Sequence, residues 1–154
     1  MGDEFDSMRT FLQEYIDEYH EFLSWLGTEV DDVGPGHMTM SIPYDRKLTN
    51  RRPDRDEDRP DIHGGVASTL VDTVGGLALR TEFADPSTGG VATITLHVNY
   101  LRPATGDLTA RAEVVRAGSS VGVSQVDVES TTPDGETKAV ATAQGAYRLF
   151  RPEE

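Results

Sequence analysis

The 154-residue sequence predicts an α+β fold: one antiparallel sheet wrapped around a long central helix, with an extra helix at the N-terminus. Three observations predict it. Residues 64–80 place Val66, Leu70, Val74 and Leu77 at helical spacing on a background of small residues. Four later segments alternate apolar and polar residues, as half-buried strands do. Residues 8–26 repeat apolar side chains every three to four positions, which makes a second, amphipathic helix.

In chain order, residues 1–7 read as a frayed end. Ser7 is the expected N-cap of the first helix, whose apolar stripe runs through Phe11, Leu12, Tyr15, Ile16, Tyr19, Phe22, Leu23 and Leu26, and Gly27 its stop. Asp17, Glu18 and Glu21 fall on its wet face, a poor match for a membrane surface, so the helix is expected to pack on its own domain. Residues 29–33 and 37–43 read as two strands around Gly34-Pro35-Gly36, the second alternating Met38, Met40 and Ile42. Residues 51–60 hold four arginines, four acids and no large apolar residue, which describes a solvated loop. It leads directly into His63 and so belongs on the rim of any pocket there.

The central helix is expected over Gly64–Arg80. Gly75-Gly76 costs roughly 1 kcal/mol per glycine relative to alanine, and a sheet curled closely around the helix supplies a reason for it. Strands follow at 91–101, 108–116, 121–131 and 139–149. The short breaks at 103–106, 118–119 and 133–135 suggest an antiparallel meander. A phase shift between Val123 and Val126 suggests a bulge near Ser124-Gln125. The organisation is a helix over 1–27 packed on a domain spanning 28–150, then a tail at 151–154.

The chain has no cysteine, which removes disulfides, zinc-thiolate sites and a cysteine nucleophile together. No run of residues is apolar enough for a transmembrane helix, and the start lacks the basic-then-apolar order of a signal peptide, so a cytoplasmic protein with no membrane partner is expected. The net charge is −13, from 27 acids against 12 arginines and two lysines. That balance lacks the basic footprint that binding nucleic acid requires. It fits a soluble, self-repelling surface, or a protein adapted to high internal salt, where screening removes the repulsion.

The chemistry-bearing stretch is His63-Gly64-Gly65 through Asp72. A helix N-terminus presents free N–H groups and partial positive charge, and glycines there let a ligand reach the backbone. Gly64 and Gly65 can therefore polarise a carbonyl oxygen. Asp72, on an otherwise apolar helix, can act as a general base or a nucleophile, or serve as a buried structural acid bonded to a neighbour. A neutral His63 can donate to a carbonyl, or satisfy a nearby backbone group. Gly64 and Asp72 are eight residues apart, ~12 Å along one helix. Donor and attacking group must each lie within ~3 Å of the reacting atoms, so a catalytic use of both calls for two antiparallel copies of the helix across a two-fold axis.

His63-Gly64-Gly65, Leu70-Val71-Asp72, Val98-Asn99-Tyr100-Leu101-Arg102-Pro103 and Gly106-Asp107-Leu108 together resemble the hotdog-fold thioesterases, and most closely the phenylacetate-pathway (PaaI-like) group that includes the mammalian acyl-CoA thioesterase 13 type. The resemblance covers about residues 36–150. It implies a hotdog fold, homodimers with shared active sites assembled into dimers of dimers (homotetramers), and hydrolysis of acyl-CoA with no metal or bound cofactor. It implies Asp72 as base or nucleophile, Gly64 as the polarising amide, and Thr93 as the hydroxyl that orients water, with a bulge near Gly89-Gly90 to aim it. Asn50 stands for the asparagine that often precedes the HGG triplet. Arg102 is the cation expected to meet coenzyme phosphates, with Arg116, Arg148 and the arginines of the 51–59 loop as further candidates, and the Gly118-Ser119 turn offers backbone amides to a phosphate. The same fold also serves non-catalytic acyl-CoA or lipid-binding modules, which lack the carboxylate, and hydratases, whose motif is placed differently.

Overall fold

A computed structural model describes residues 2–152. Helix α1 (Gly2–Tyr19) and the short α2 (Glu21–Trp25) precede strands β1 (Glu29–Gly34) and β2 (His37–Ile42). A 3-10 turn (Arg46–Leu48) and a long loop lead to α3 (Gly64–Arg80), and β3 (Gly90–Tyr100), β4 (Asp107–Ala117), β5 (Val121–Thr131) and β6 (Thr137–Phe150) complete the chain.

The helix α3 has the expected bounds. The N-terminal helix does not. It begins at Gly2 rather than after Ser7, because Asp3 and Glu4 complement the positive helix start and the Ser7 and Thr10 hydroxyls bond back to the Asp3 and Asp6 carbonyls. Ser7 is therefore inside the helix and not its cap. The helix also breaks at His20, whose ring Nδ1 accepts from the Leu23 N–H at 3.2 Å and caps α2. Met8, Leu12 and Ile16 carry the buried stripe. Gln13 fastens the helix to the sheet start: its Oε1 accepts from the Val30 N–H at 2.7 Å and its Nε2 donates to the Thr28 carbonyl at 3.3 Å.

All strands join one antiparallel sheet in the order β1-β2-β4-β5-β6-β3. The expected meander holds from β4 to β6 but not for β3, which lies at the far edge beside β6. The segment 101–106 crosses the sheet end instead of folding a hairpin. It is pinned on the way, since the Leu101 N–H donates to the Val140 carbonyl and the Ile62 N–H to the Ala104 carbonyl. The strands present Met38, Met40 and Ile42, then Leu108, Ala110 and Ala112, then Val126, Val128, Ala141 and Ala143, to α3, all buried. The small residues at the sheet centre let it close on the helix, while the outer face stays half wet, as one-sided antiparallel sheets allow. This is the hotdog arrangement.

The bulges correct the sequence reading. β5 alternates without a break, because Gly122 and Ser124 face inward and Val121 and Val123 outward. Ser124 is fully buried, and its hydroxyl donates to the Gly75 carbonyl at 2.8 Å, so a polar residue holds a core position. The register shifts fall instead at Val115 in β4 and Val140 in β6. The latter turns Ala139, expected in the inner row, out to solvent.

Gly75 and Gly76 have a definite packing reason. A Cβ on Gly75 would lie 2.5 Å from the Tyr147 hydroxyl oxygen, and one on Gly76 would lie 3.2 Å from the Tyr147 ring. Tyr147 is 1% exposed and donates to the Asp72 carbonyl at 3.1 Å. Burial, and secondarily the Asp72 charge, holds its hydroxyl well above the usual tyrosine range, so it stays a proton donor.

Arg151, at the start of the expected tail, is tied down. Its guanidinium donates to the Gly118 and Glu82 carbonyls and lies over the Phe83 ring. The last part of that tail, 153–154, and residue 1 of the N-terminal segment lie outside the described residues. Among the described residues no helix is long and apolar enough to cross a membrane.

Candidate active site

Two groups of the expected residues converge, at opposite ends of the first half of α3. The first group surrounds Asp72. On the half-buried second turn after Gly65, its Oδ1 accepts from the Thr93 hydroxyl at 2.6 Å. The bulge that aims Thr93 is at Ile94, not near Gly89-Gly90: Thr93 pairs with Tyr147, Thr95 with Ala146, and Ile94 is the extra residue. The register shift lets Thr93 face the helix although its strand's polar alternation runs the other way. A hydroxyl bonded to one carboxylate oxygen fixes the group's orientation and leaves the other oxygen for chemistry.

Asp72 and Thr93 open onto a cavity of about 460 Å3. Its apolar wall is supplied largely by the N-terminal helices, through Leu12, Ile16, Leu23, Phe11 and Tyr15, and by Leu77 of α3. Arg80 closes one end. Its guanidinium donates to the carbonyls of Pro86, Thr88 and Gly89, holding the turn between α3 and β3, and burial lowers its affinity for a proton. His20 and Tyr147 also line the cavity. His20 had no supporting sequence context; its role as the cap at the α1–α2 break is what carries it there.

The second group surrounds the start of α3. His63 is the N-cap, and its Nδ1 accepts from the Gly65 N–H at 2.8 Å. The neutral ring in this tautomer carries its proton on Nε2, where it can donate. The bond also occupies the Gly65 amide, so Gly65 does not present a free donor as expected. The Val66 N–H bonds to the His63 carbonyl. The Gly64 N–H has no acceptor among the described residues, which makes it the donor available at this terminus.

Tyr100, which the sequence placed in a strand and in the Val98–Pro103 motif but not in the site, braces Gly64. Its hydroxyl donates to the Gly64 carbonyl at 2.8 Å and meets the Ser68 hydroxyl. A Cβ on Gly64 would sit 3.2 Å from the Tyr100 ring, so the absence of a side chain there is used. Asn50 and Arg102 join His63, Gly64 and Tyr100 around a second cavity of about 360 Å3. Asn50 reaches it despite the long intervening segment because that segment is looped out: Thr49 bridges to Ile62, the Asn50 N–H donates to the Asp61 carbonyl at 2.8 Å, and the His63 N–H donates to the Leu48 carbonyl at 2.8 Å.

Gly118 and Ser119 are not part of either group. They form the β4–β5 turn, where the Gly118 N–H is taken by the Val121 carbonyl and the Gly118 carbonyl by Arg151. The Gly118 amide is therefore committed inside the turn and is not a free phosphate ligand. Gly122, just beyond, packs against Leu79 near the far end of α3.

Comparison with known proteins agrees with the fold. A family model described as "Thioesterase superfamily" matches residues 60–136. A Halobacterium salinarum protein named "Putative esterase" is 47% identical over 152 residues, which is 97% of each chain. An Escherichia coli protein named medium/long-chain acyl-CoA thioesterase YigI is 29% identical over 100 residues, covering 57% of this chain and 62% of that one. Among solved structures, a thioesterase family protein from Silicibacter pomeroyi superposes with a TM-score of 0.75 at 28% identity, covering 92% of this chain and 99% of that one.

Proposed function

Because this chain belongs to the thioesterase superfamily and has its hotdog fold, we propose that it hydrolyses acyl-CoA thioesters to free acid and CoA, in the manner of the PaaI-like group. The observation that carries the reading is the Asp72 carboxylate, held by the Thr93 hydroxyl at the mouth of an apolar cavity sized for an acyl group. The acyl chain enters that cavity. The thioester carbonyl oxygen takes the Gly64 N–H, where the helix terminus favours the developing negative charge. Asp72 either draws a proton from water as the water oxygen bonds to the acyl carbon, or attacks that carbon itself and is released by water. In both routes the C–S bond breaks and the thiolate leaves with a proton. His63, with Nε2 carrying its proton, stands beside the carbonyl as a second donor.

The ~12 Å between Gly64 and Asp72 along α3 prevents one chain's pair from serving one carbonyl. A homodimer with α3 antiparallel to its copy brings Gly64 of one protomer to Asp72 of the other, twice per dimer. Such dimers pair further into tetramers in this reading. No cofactor is required, since a carboxylate and a helix terminus supply both base and electrophile.

Two variants test the chemistry and the sharing together. Asp72→Asn removes the base. Gly64→Pro removes the amide N–H at the first helical position, where proline is tolerated and where His63 already has the extended ψ of 131° that a residue before proline prefers; its Cβ would lie 3.2 Å from the Tyr100 ring, so Gly64→Ala, which adds the same Cβ and keeps the N–H, is the control. Each variant alone is expected to lose thiol release from acyl-CoA, by roughly 10²–10³-fold or more for the amide. Co-expressed and purified as mixed dimers, they are expected to recover activity, because one of the two sites in a mixed dimer is intact. Full activity in both single variants would remove Asp72 and Gly64 from the chemistry, and binding of acyl-CoA without turnover by the wild type would leave only an acyl-CoA or lipid-binding module. No recovery on mixing would place the site within one chain.

A further inference from the structure

The loop between Asn50 and Asp61 has a charge arrangement that the fold does not use. Several of its polar groups are committed, while the carboxylates of Asp54, Asp56 and Asp58 have no partner among the described residues. Arg59 donates to the Thr105 carbonyl and lies over the Tyr44 ring, whose hydroxyl donates to the Pro60 carbonyl. Arg46 donates to the Asp58 carbonyl, and Arg55 is 3.5 Å from Glu57. Arg51 and Arg52, by contrast, are exposed and have no ion pair and no side-chain hydrogen bond among the described residues. They follow Asn50 directly in the chain, and Asn50 lines the cavity that holds His63, Gly64 and Arg102; Arg51 and Arg52 themselves line a separate hollow within the loop. Arg102 is likewise exposed and unpaired among the described residues.

The direction of the substrate makes this placement matter, and the inference rests on the thioesterase reading. If the acyl chain fills the cavity beside Asp72 of one protomer, the sulfur side must leave over the start of α3 of the other protomer, past that copy's His63 and Asn50. The pantetheine arm then separates the sulfur from the phosphates, which emerge at the rim rather than at the reacting carbonyl. On a chain of net charge −13 the bulk field repels a polyanion, so retention requires cations that are free to contact the phosphates directly. We propose that Arg51 and Arg52, on the looped-out segment Asn50–Asp61, act with Arg102 to hold the phosphates of the coenzyme half of the substrate at the rim of the Asn50–His63–Gly64 cavity. Arginine forks suit phosphate, and both sit on a segment that the Thr49–Ile62 bridge ties to the site. The acids nearby set the limit of the effect: Asp54 and Asp56 share the loop's concave side with Arg51, Arg52 and Arg55, and Asp61 lines the cavity with Arg102. The segment is therefore a selector for the leaving group, separate from the cavity that selects the acyl group.

The test compares one acyl group carried on CoA and on pantetheine, which lacks the nucleotide and its phosphates. In the Arg51→Gln/Arg52→Gln variant, the ratio of KM for acyl-CoA to KM for acyl-pantetheine is expected to rise about tenfold over wild type, as the loss of two exposed charge contacts allows. Asp54→Asn/Asp56→Asn is expected to move the same ratio the other way. Added KCl is expected to raise KM for acyl-CoA in the wild type and to do so less in the arginine variant. Equal changes for both substrates, or no change, overturn the proposal while leaving the thioesterase reading intact. Wild-type protein that hydrolyses neither substrate overturns the thioesterase reading, and this proposal with it.

Discussion

The contact between Thr93 and Asp72 shows what a single residue contributes here. A carboxylate on an apolar helix needs partners, and the 2.6 Å bond from the Thr93 hydroxyl supplies one without neutralising the group. Thr93→Val keeps the shape and the β-branching of the edge strand but removes that bond. Hydrogen bonds to charged groups are worth about 1.5–3 kcal/mol, so thiol release is expected to fall about 10- to 100-fold while the thermal midpoint moves little. Stopped thiol-detection assays and a melting curve on the same sample check both. At this scale the sequence was informative about residues whose chemistry is local. His63, Gly64 and Asp72 could be read from one ten-residue stretch. Asn50, Arg102 and Thr93 came from the resemblance, and the fold brings each of them beside that stretch. Tyr100, Tyr147 and His20 were not legible as site residues, because each acquires its role from an element distant in sequence: Tyr100 on Gly64, Tyr147 over Gly75, and His20 at a helix break with no glycine or proline to announce it. The Gly65 and Gly118 amides were misread for a related reason. A backbone donor is free only if no neighbour takes it, and neither the His63 ring nor the Val121 carbonyl is visible as an acceptor from spacing alone.

Among the elements, α3 is where sequence and packing agree most closely. Its bounds follow from periodicity, and its costly glycines are explained by the ring of Tyr147. Gly75→Ala gains about 1 kcal/mol of helix propensity but places a Cβ 2.5 Å from the Tyr147 hydroxyl oxygen. Overpacking of this kind costs about 1–3 kcal/mol, so a net loss of stability is expected in chemical denaturation. Pairing it with Tyr147→Phe, which removes the clashing oxygen, is expected to recover part of that loss, and a double-mutant cycle reads the coupling. The strands were legible in number and position because alternation is a local signal. Their order was not. Short breaks suggested neighbours for every strand, yet β3 lies beside β6, and that pairing depends on where the turn after α3 delivers the chain. The consequence is that β3 is an edge strand whose outward side chains, Ile94 among them at 53% exposure, have no cover within the chain.

For the whole molecule the dominant physical fact is charge. The acids are exposed along α1 and β1, through Asp3, Glu4, Asp6, Glu14, Asp17, Glu18, Glu29, Asp31 and Asp32, with few cations among them. Ion pairs such as Arg55–Glu57 and Lys138–Glu136 are exposed and contribute little. Self-repulsion on this scale opposes the compact state and weakens as the Debye length falls from about 10 Å at 0.1 M to about 3 Å at 1 M salt. The thermal midpoint is therefore expected to rise with KCl across that range, and a salt that screens without strong exclusion from the surface separates this effect from general salting-out. A midpoint that does not move would remove any role for the acidic surface in salt adaptation.

The looped-out segment also has a mechanical consequence. Thr49 and Ile62 are bridged, and the backbone between Asn50 and Asp61 is closed on itself, so nothing inside the segment transmits tension to α3. Closing such a loop costs only about 0.6 kcal/mol more for each doubling of its length. The span from Pro53 to Glu57 is thus a detachable part: it can be lengthened, exchanged or nicked by a protease while the helix start keeps its place, which lets evolution or an engineer rewrite it without renegotiating the core.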